Sequence, residues 1–173
     1  MADWNMLTLV GEDRPGIVAA VTRALYDAGC NLGEASMIRL GGNFTIMLMV
    51  NGGQPGARLE EALAPVAADL GLRCHIDPIP GALDRHPVPN IQVRVMGADR
   101  AGIVAEVTEV LAATGFNILE LDSSVCGEPG RPLYIMNILG CSGEALEVLD
   151  EAMAGLRARG VSIDIAPIET MIG

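Results

Sequence analysis

The chain has 173 residues, half of them hydrophobic and only 3% aromatic, with a formal net charge of −11. Its few, scattered cations cannot form the clustered basic surface that direct nucleic-acid binding needs, and with no lysine among its 11 cationic residues P-loop, Schiff-base and lysine-base chemistries are excluded together. The length suits one large domain or two small ones; units of about 85 residues are near the small end of what folds alone, which favours mutual packing or dimerisation.

Residues 4–10 predict a first strand, with Met6, Thr8 and Val10 on one face and Leu7 and Leu9 on the other. Apolar side chains on both faces suit a central strand. The run Gly11-Glu12-Asp13-Arg14-Pro15-Gly16-Ile17-Val18 ends it in a small-residue turn. Pro15 sits just inside a helix start, where its missing N–H costs nothing. A helix over 16–28 follows, its stripe formed by Ile17, Val18, Val21, Ala24, Leu25 and Ala28, and Gly29 closes it. Asn31–Leu40 and 44–50 read as a hairpin turning at Gly41-Gly42-Asn43. A second helix carries Leu59, Leu63, Val66 and Leu70, and Pro65 inside it is expected to kink or divide it. Gly71 ends that helix, and residues 72–79 make a fourth strand. The order is β-α-β-β-α-β, the ferredoxin-like split unit.

Residues 80–89, with three prolines and Gly81, read as a linker, which sets a first domain at 1–81, a linker at 82–89 and a second domain at 90–173. The pattern then repeats. Residues 91–96 are the strand, Asp99-Arg100-Ala101-Gly102 the turn, and Ile103, Val104, Val107, Val110 and Leu111 the helix stripe, closed by Gly115. Residues 117–125 and 133–139 give the hairpin, lengthened by Cys126-Gly127-Glu128-Pro129-Gly130-Arg131-Pro132. Leu146, Leu149, Ala152, Met153 and Leu156 mark the second helix, and 161–168 the last strand. Asp99 follows Asp13 by 86 positions and Pro167 follows Pro78 by 89, so the insertion belongs to the second hairpin turn. Matching residues at the 86 offset, among them Gly, Asp, Arg, Ile, Val and Asn, identify a tandem duplication.

The duplicated turn is the candidate site. Gly16 and Gly102 lack a Cβ, so a carboxylate can approach unpaired amides at a helix start. Asp13 and Asp99 offer a carboxylate to an ammonium, and Asn31 and Asn117 follow the next helix. An α-amino acid carries that pair of charges. The purely structural alternative is that glycine permits a tight turn and the aspartates cap the helices. The acidity itself is read as solubility. Other chemistry finds little support. His75 and His86 are the only histidines, neither at metal-ligand spacing with another, and Ser123-Ser124 lacks a nucleophile-elbow setting. Cys30, Cys74, Cys126 and Cys141 form no C-x-x-C pair and are expected as free thiols in a cytoplasmic chain without a membrane span. Arg39 and Arg94 read as solvated strand positions, and the nine methionines as core filler.

With these residues in view, the whole chain resembles a pair of ACT domains, the small regulatory module that binds amino acids, and D-R-P-G-I-V matches the module's strand-to-helix turn. The tandem arrangement, length and turn together are similar to the glycine cleavage system transcriptional repressor family. The resemblance implies an α+β fold of two βαββαβ units, antiparallel sheets with helices on one face. It implies ligand contacts at Asp13, Arg14, Pro15, Gly16, Ile17, Val18 and Asn31, and at Asp99, Arg100, Gly102, Ile103, Val104 and Asn117, with further contacts from a neighbouring domain. Ala101 departs from the family's proline and loses its fixed φ. The implied function is non-enzymatic and cofactor-free: sensing a small amino acid of glycine or serine type, as a homodimer, and controlling a transcription activator through protein contact. The alternatives are a detached regulatory subunit of an amino-acid or one-carbon enzyme, and a dimerisation scaffold with decayed sites.

Overall fold

A computed structural model of the chain describes residues 4–52, 56–79, 87–98, 102–128 and 131–168. The chain divides into two compact units, Met1–Leu83 and Asp84–Gly173; most of the expected linker lies outside the described residues. The first unit runs β1 (Trp4–Glu12), α1 (Ile17–Asp27), β2 (Asn31–Leu40), β3 (Asn43–Asn51), α2 (Gly56–Leu70) and β4 (Arg73–Ile79). The second runs β5 (Ile91–Ala98), α3 (Ile103–Ala113), β6 (Asn117–Glu128), β7 (Arg131–Cys141), α4 (Leu146–Ala152), α5 (Ala154–Ala158) and β8 (Ser162–Pro167). Each forms an antiparallel four-stranded sheet, ordered β2-β3-β1-β4 and β6-β7-β5-β8, the ferredoxin-like arrangement.

The first strand is central, as its two apolar faces require, with β3 and β4 on either side. Leu7 and Leu9 of β1 join Phe44, Ile46, Leu48 and Val50 of β3 in one core with Ile17, Val21 and Leu25 of α1 and Leu59 and Leu63 of α2. The alternation of β1 and β3 points these residues at the helices. In the second unit Val93, Val95, Met136 and Ile138 meet Ile103, Val107 and Leu111 in the same way. Ile17, Val21 and Leu25 recur 86 positions later as Ile103, Val107 and Leu111, all buried, so the duplication preserved the i, i+4, i+8 spine of each first helix.

Two local expectations are corrected. Pro65 does not divide α2, which is continuous over 15 residues. Pro65 is exposed, while Leu59, Leu63 and Ala67 on either side of it are buried in one core. The carbonyl left without its donor therefore lies toward water, and packing holds the two halves together. The insertion in the second hairpin is not a longer loop: β6 and β7 extend into it, with Gly127 opposite Pro132 and Glu128 opposite Arg131. The first hairpin closes on Gly41 and Gly42 at φ 57° and 78° between the paired Leu40 and Asn43. Two successive positive φ values give the turn whose twist matches paired strands.

Candidate functional site

Both β-to-α corners rest on a glycine in the left-handed region. Gly16 has φ 92° and ψ −7° as the residue before α1, and Gly102 has φ 90° and ψ −7° before α3. A Cβ at either position would meet nothing within 4 Å. Glycine is therefore required by backbone conformation, and the space beside each corner is open. Each N-cap is a glycine, with no side-chain cap bond of its own, and the Asp13 carboxylate pairs with an arginine and not with the first amides of α1. The first amides of α1 have no intrahelical acceptor by construction.

The residues implied by the resemblance fall into three groups. Asp13 stands at the corner with its backbone N–H donating to the Gly42 carbonyl at 3.1 Å, which ties the corner to the hairpin turn. Pro15 and Gly16 are exposed there, and Arg14 is turned back on Glu12 at 3.0 Å. Val18 and Val104 are partly exposed on the helix surfaces, whereas Ile17 and Ile103 are 2% exposed and belong to the cores; only their backbones remain for a ligand. Asn31 and Asn117 are placed elsewhere. Asn31 opens β2 opposite Asn51, which is level with Trp4, whereas the corner follows Glu12 at the other end of β1. The separation approaches the length of the ten-residue β2, about 30 Å at roughly 3.3 Å per residue. Asn117 has the same position, opposite Cys141 at the far end of β6. Within one unit, neither asparagine joins its corner. Asp99, Arg100 and Ala101 lie outside the described residues.

Arg39 is a solvated strand position as expected, 68% exposed, and it also makes a contact that the sequence did not show: its Nε lies 2.6 Å from Oδ2 of Asp13. Arg39 is opposite Phe44, which is opposite Gly11, so the three share a rung across β2, β3 and β1. The two-residue hairpin turn was the signal that fixes this rung and places Arg39 beside the corner.

Among the described residues, the remaining titratable groups offer no competing centre. Burial raises the thiol pKa of Cys30, and burial followed by the charge of Glu60 raises that of Cys74, which keeps both protonated. Among the described residues no cluster of three or more His, Cys, Asp or Glu side chains is placed to hold a metal ion, and no helix is long and apolar enough to cross a membrane.

Set beside known proteins, the chain matches the ACT domain family model over residues 6–77 and again over 90–157. It is 32% identical over 120 residues to the glycine cleavage system transcriptional repressor of Escherichia coli, an alignment covering 68% of this chain and 63% of that protein. The chain thus spans somewhat less than two thirds of the repressor's length. Among solved structures, an unknown protein from Galdieria sulphuraria aligns over 98% of this chain and all of its own, with a TM-score of 0.79 and 26% identity. A structure provisionally described as a glycine cleavage system transcriptional repressor aligns over 98% of this chain and 99% of its own, at TM-score 0.73 and 22% identity; that likeness speaks to the fold.

Proposed function

The chain belongs to the ACT domain family, and from that premise we propose that it is an amino-acid-sensing regulator that works by binding. A small α-amino acid docks at the Gly16 corner, its carboxylate on the open amides at the start of α1 and its ammonium on Asp13. Bound ligand then shifts the population of a form that engages a protein partner. The similarity to the repressor favours a transcription activator as that partner, and the net charge of −11 favours control through protein contact over direct contact with DNA. The observation that carries the reading is the uncapped glycine corner at φ 92° with open space beside it.

A homodimer suits the placement of Asn31. β2 is an edge strand exposed along its whole length, with Leu32, Met37, Ile38 and Leu40 among its exposed side chains. Antiparallel pairing of this edge with that of a second copy sets the Asn31 end of one beside the Leu40 end of the other. Leu40 lies across the hairpin from Asn43, which is opposite Glu12, so Asn31 of one copy then approaches the corner of its partner.

Affinity has a ceiling: five heavy atoms of glycine, at about −1.5 kcal/mol each, cannot bind much tighter than a few micromolar. The test is a thermal-shift panel of the twenty amino acids. At least one small amino acid is expected to raise Tm at millimolar concentration, and Gly16→Trp should abolish the rise. A panel with no rise would refute sensing. Capture from extract that brings down a metabolic enzyme instead of a transcription factor would refute the partner.

A further inference from the structure

Gly16 and Gly102 share backbone geometry, and the described residues placed around them differ in charge. In the first unit, the Asp13 carboxylate is 27% exposed and faces the Arg39 guanidinium, which is 68% exposed, at 2.6 Å. The same place in the second unit is occupied by Val125. It follows Arg39 by 86 positions, and its cross-strand partner Tyr134 stands where Phe44 stands in the first unit. Val125 is 56% exposed and has no charge to offer. The helix starts differ as well. Glu106 lies in the first turn of α3 and is held at 2.9 Å by Arg159. The equivalent position in α1 is Ala20, and its first turn has no acidic residue.

An aspartate and an arginine in contact present the same two charges as a zwitterion, in the complementary sense. An α-amino acid can enter between them without leaving either charge unpaired: the ammonium replaces the guanidinium on Asp13, and the carboxylate takes the guanidinium as a two-point partner. Opening the pair forfeits little, because an ion pair this exposed stabilises weakly. Among the described residues, the second corner has no arginine at that register, where Val125 stands, and the one acidic residue in the first turn of its helix is already engaged by Arg159.

We propose that Arg39 is a ligand-binding residue: an α-amino acid inserts between Asp13 and Arg39, and the first corner alone takes ligand, one molecule per chain. This rests on the amino-acid-sensing reading above and adds the residue that recognises the carboxylate and the stoichiometry.

Calorimetry with glycine and with L-serine on the full chain tests it, with ethanolamine as the amine that lacks a carboxylate. The native chain should bind one equivalent of glycine or serine per chain, and ethanolamine far more weakly. Arg39→Gln should weaken amino-acid binding tenfold or more, leave ethanolamine binding as tight or tighter because its competitor for Asp13 is gone, and leave the ligand-free Tm unchanged. A side chain acting only through the fold would not separate these two ligands. Asp13→Asn should weaken glycine, serine and ethanolamine alike. Two equivalents on the native chain, or native affinity in Arg39→Gln, would overturn the proposal and leave sensing intact. A native chain that binds neither glycine nor serine, and responds to none of the twenty amino acids in the thermal-shift panel, would overturn both.

Discussion

Gly16 carries a conformational demand without a steric one, and this makes its substitutions informative. A Cβ there has empty space around it but a backbone at φ 92°, so Gly16→Ala should cost about 1 kcal/mol from left-handed strain alone and lower Tm by about 5 °C. Asparagine tolerates that region better than alanine, so Gly16→Asn should melt above Gly16→Ala. The reverse order would mean that the corner relaxes out of the left-handed region. The thiols give a second check at this scale. A raised thiol pKa leaves less thiolate at a given pH, and burial raises both Cys30 and Cys74. Exposed Cys126 should therefore react with a disulfide reagent at pH 8 well before Cys30 and Cys74, which should be released by denaturant. Equal rates for Cys30 and Cys126 in the native protein would contradict the burial of Cys30 under Gly52, where a Cβ would come within 2.9 Å of its sulfur.

At the scale of elements, pattern and turn chemistry made most of the fold legible. Apolar residues on both faces of β1 marked it as central, and Gly41-Gly42 marked the hairpin, because both signals are local. What stayed hidden depends on pairing across the sheet. The pairing of solvated Arg39 stayed out of view because its partner Asp13 is 26 positions away and two strand spacings across, which only the register brings together. The distance of Asn31 from the corner was present in the topology: α1 returns the chain to the far end of the sheet before β2 begins. The inserted hairpin residues looked like a loop because Pro129-Gly130 and Pro132 are breakers, yet edge pairing of β6 with β7 runs through Pro132 as far as Glu128 opposite Arg131. Pro65 shows packing overriding a local rule. Since its ring still removes a helix bond, Pro65→Ala should stabilise by roughly 1 kcal/mol or more, read as a raised denaturant midpoint. An unchanged midpoint would mean that the helix had already relaxed around the ring. At Gly140 the sheet has no slack: a Cβ would overlap the Phe116 ring and the Asn117 carbonyl. Gly140→Ala must part β6 from β7 at that point and should cost about 2 kcal/mol or more by the same assay.

For the whole molecule, two tendencies oppose each other. β2 is a thinly guarded edge: Glu34, Arg39 and a register shift between Leu32 and Ala35 interrupt it, but no lysine stands on it and Met37, Ile38 and Leu40 are exposed. Such an edge invites pairing with another strand. Against this stands a charge of −11 on each copy, which repels a second copy over a range set by salt, about 10 Å at 0.1 M and about 30 Å at 0.01 M. If two copies associate through β2, the dimer should be strengthened by salt, since screening removes the repulsion and leaves hydrogen bonds and apolar contacts in place. Light scattering between 0.01 and 0.3 M sodium chloride should record a mean mass rising from one chain toward two. Ile38→Lys combined with Leu40→Lys places charge on the edge and should hold the chain monomeric at 0.3 M despite lowering the net negative charge. That pairing of results separates edge docking from general charge neutralisation, which would make the lysine variant associate more. The single tryptophan supplies an independent reading, because a Cβ on Gly33 of β2 would fall 2.9 Å from the Trp4 ring. Association along β2 should shift Trp4 emission in step with mass, and a mass increase with no change in emission would place the contact on another surface.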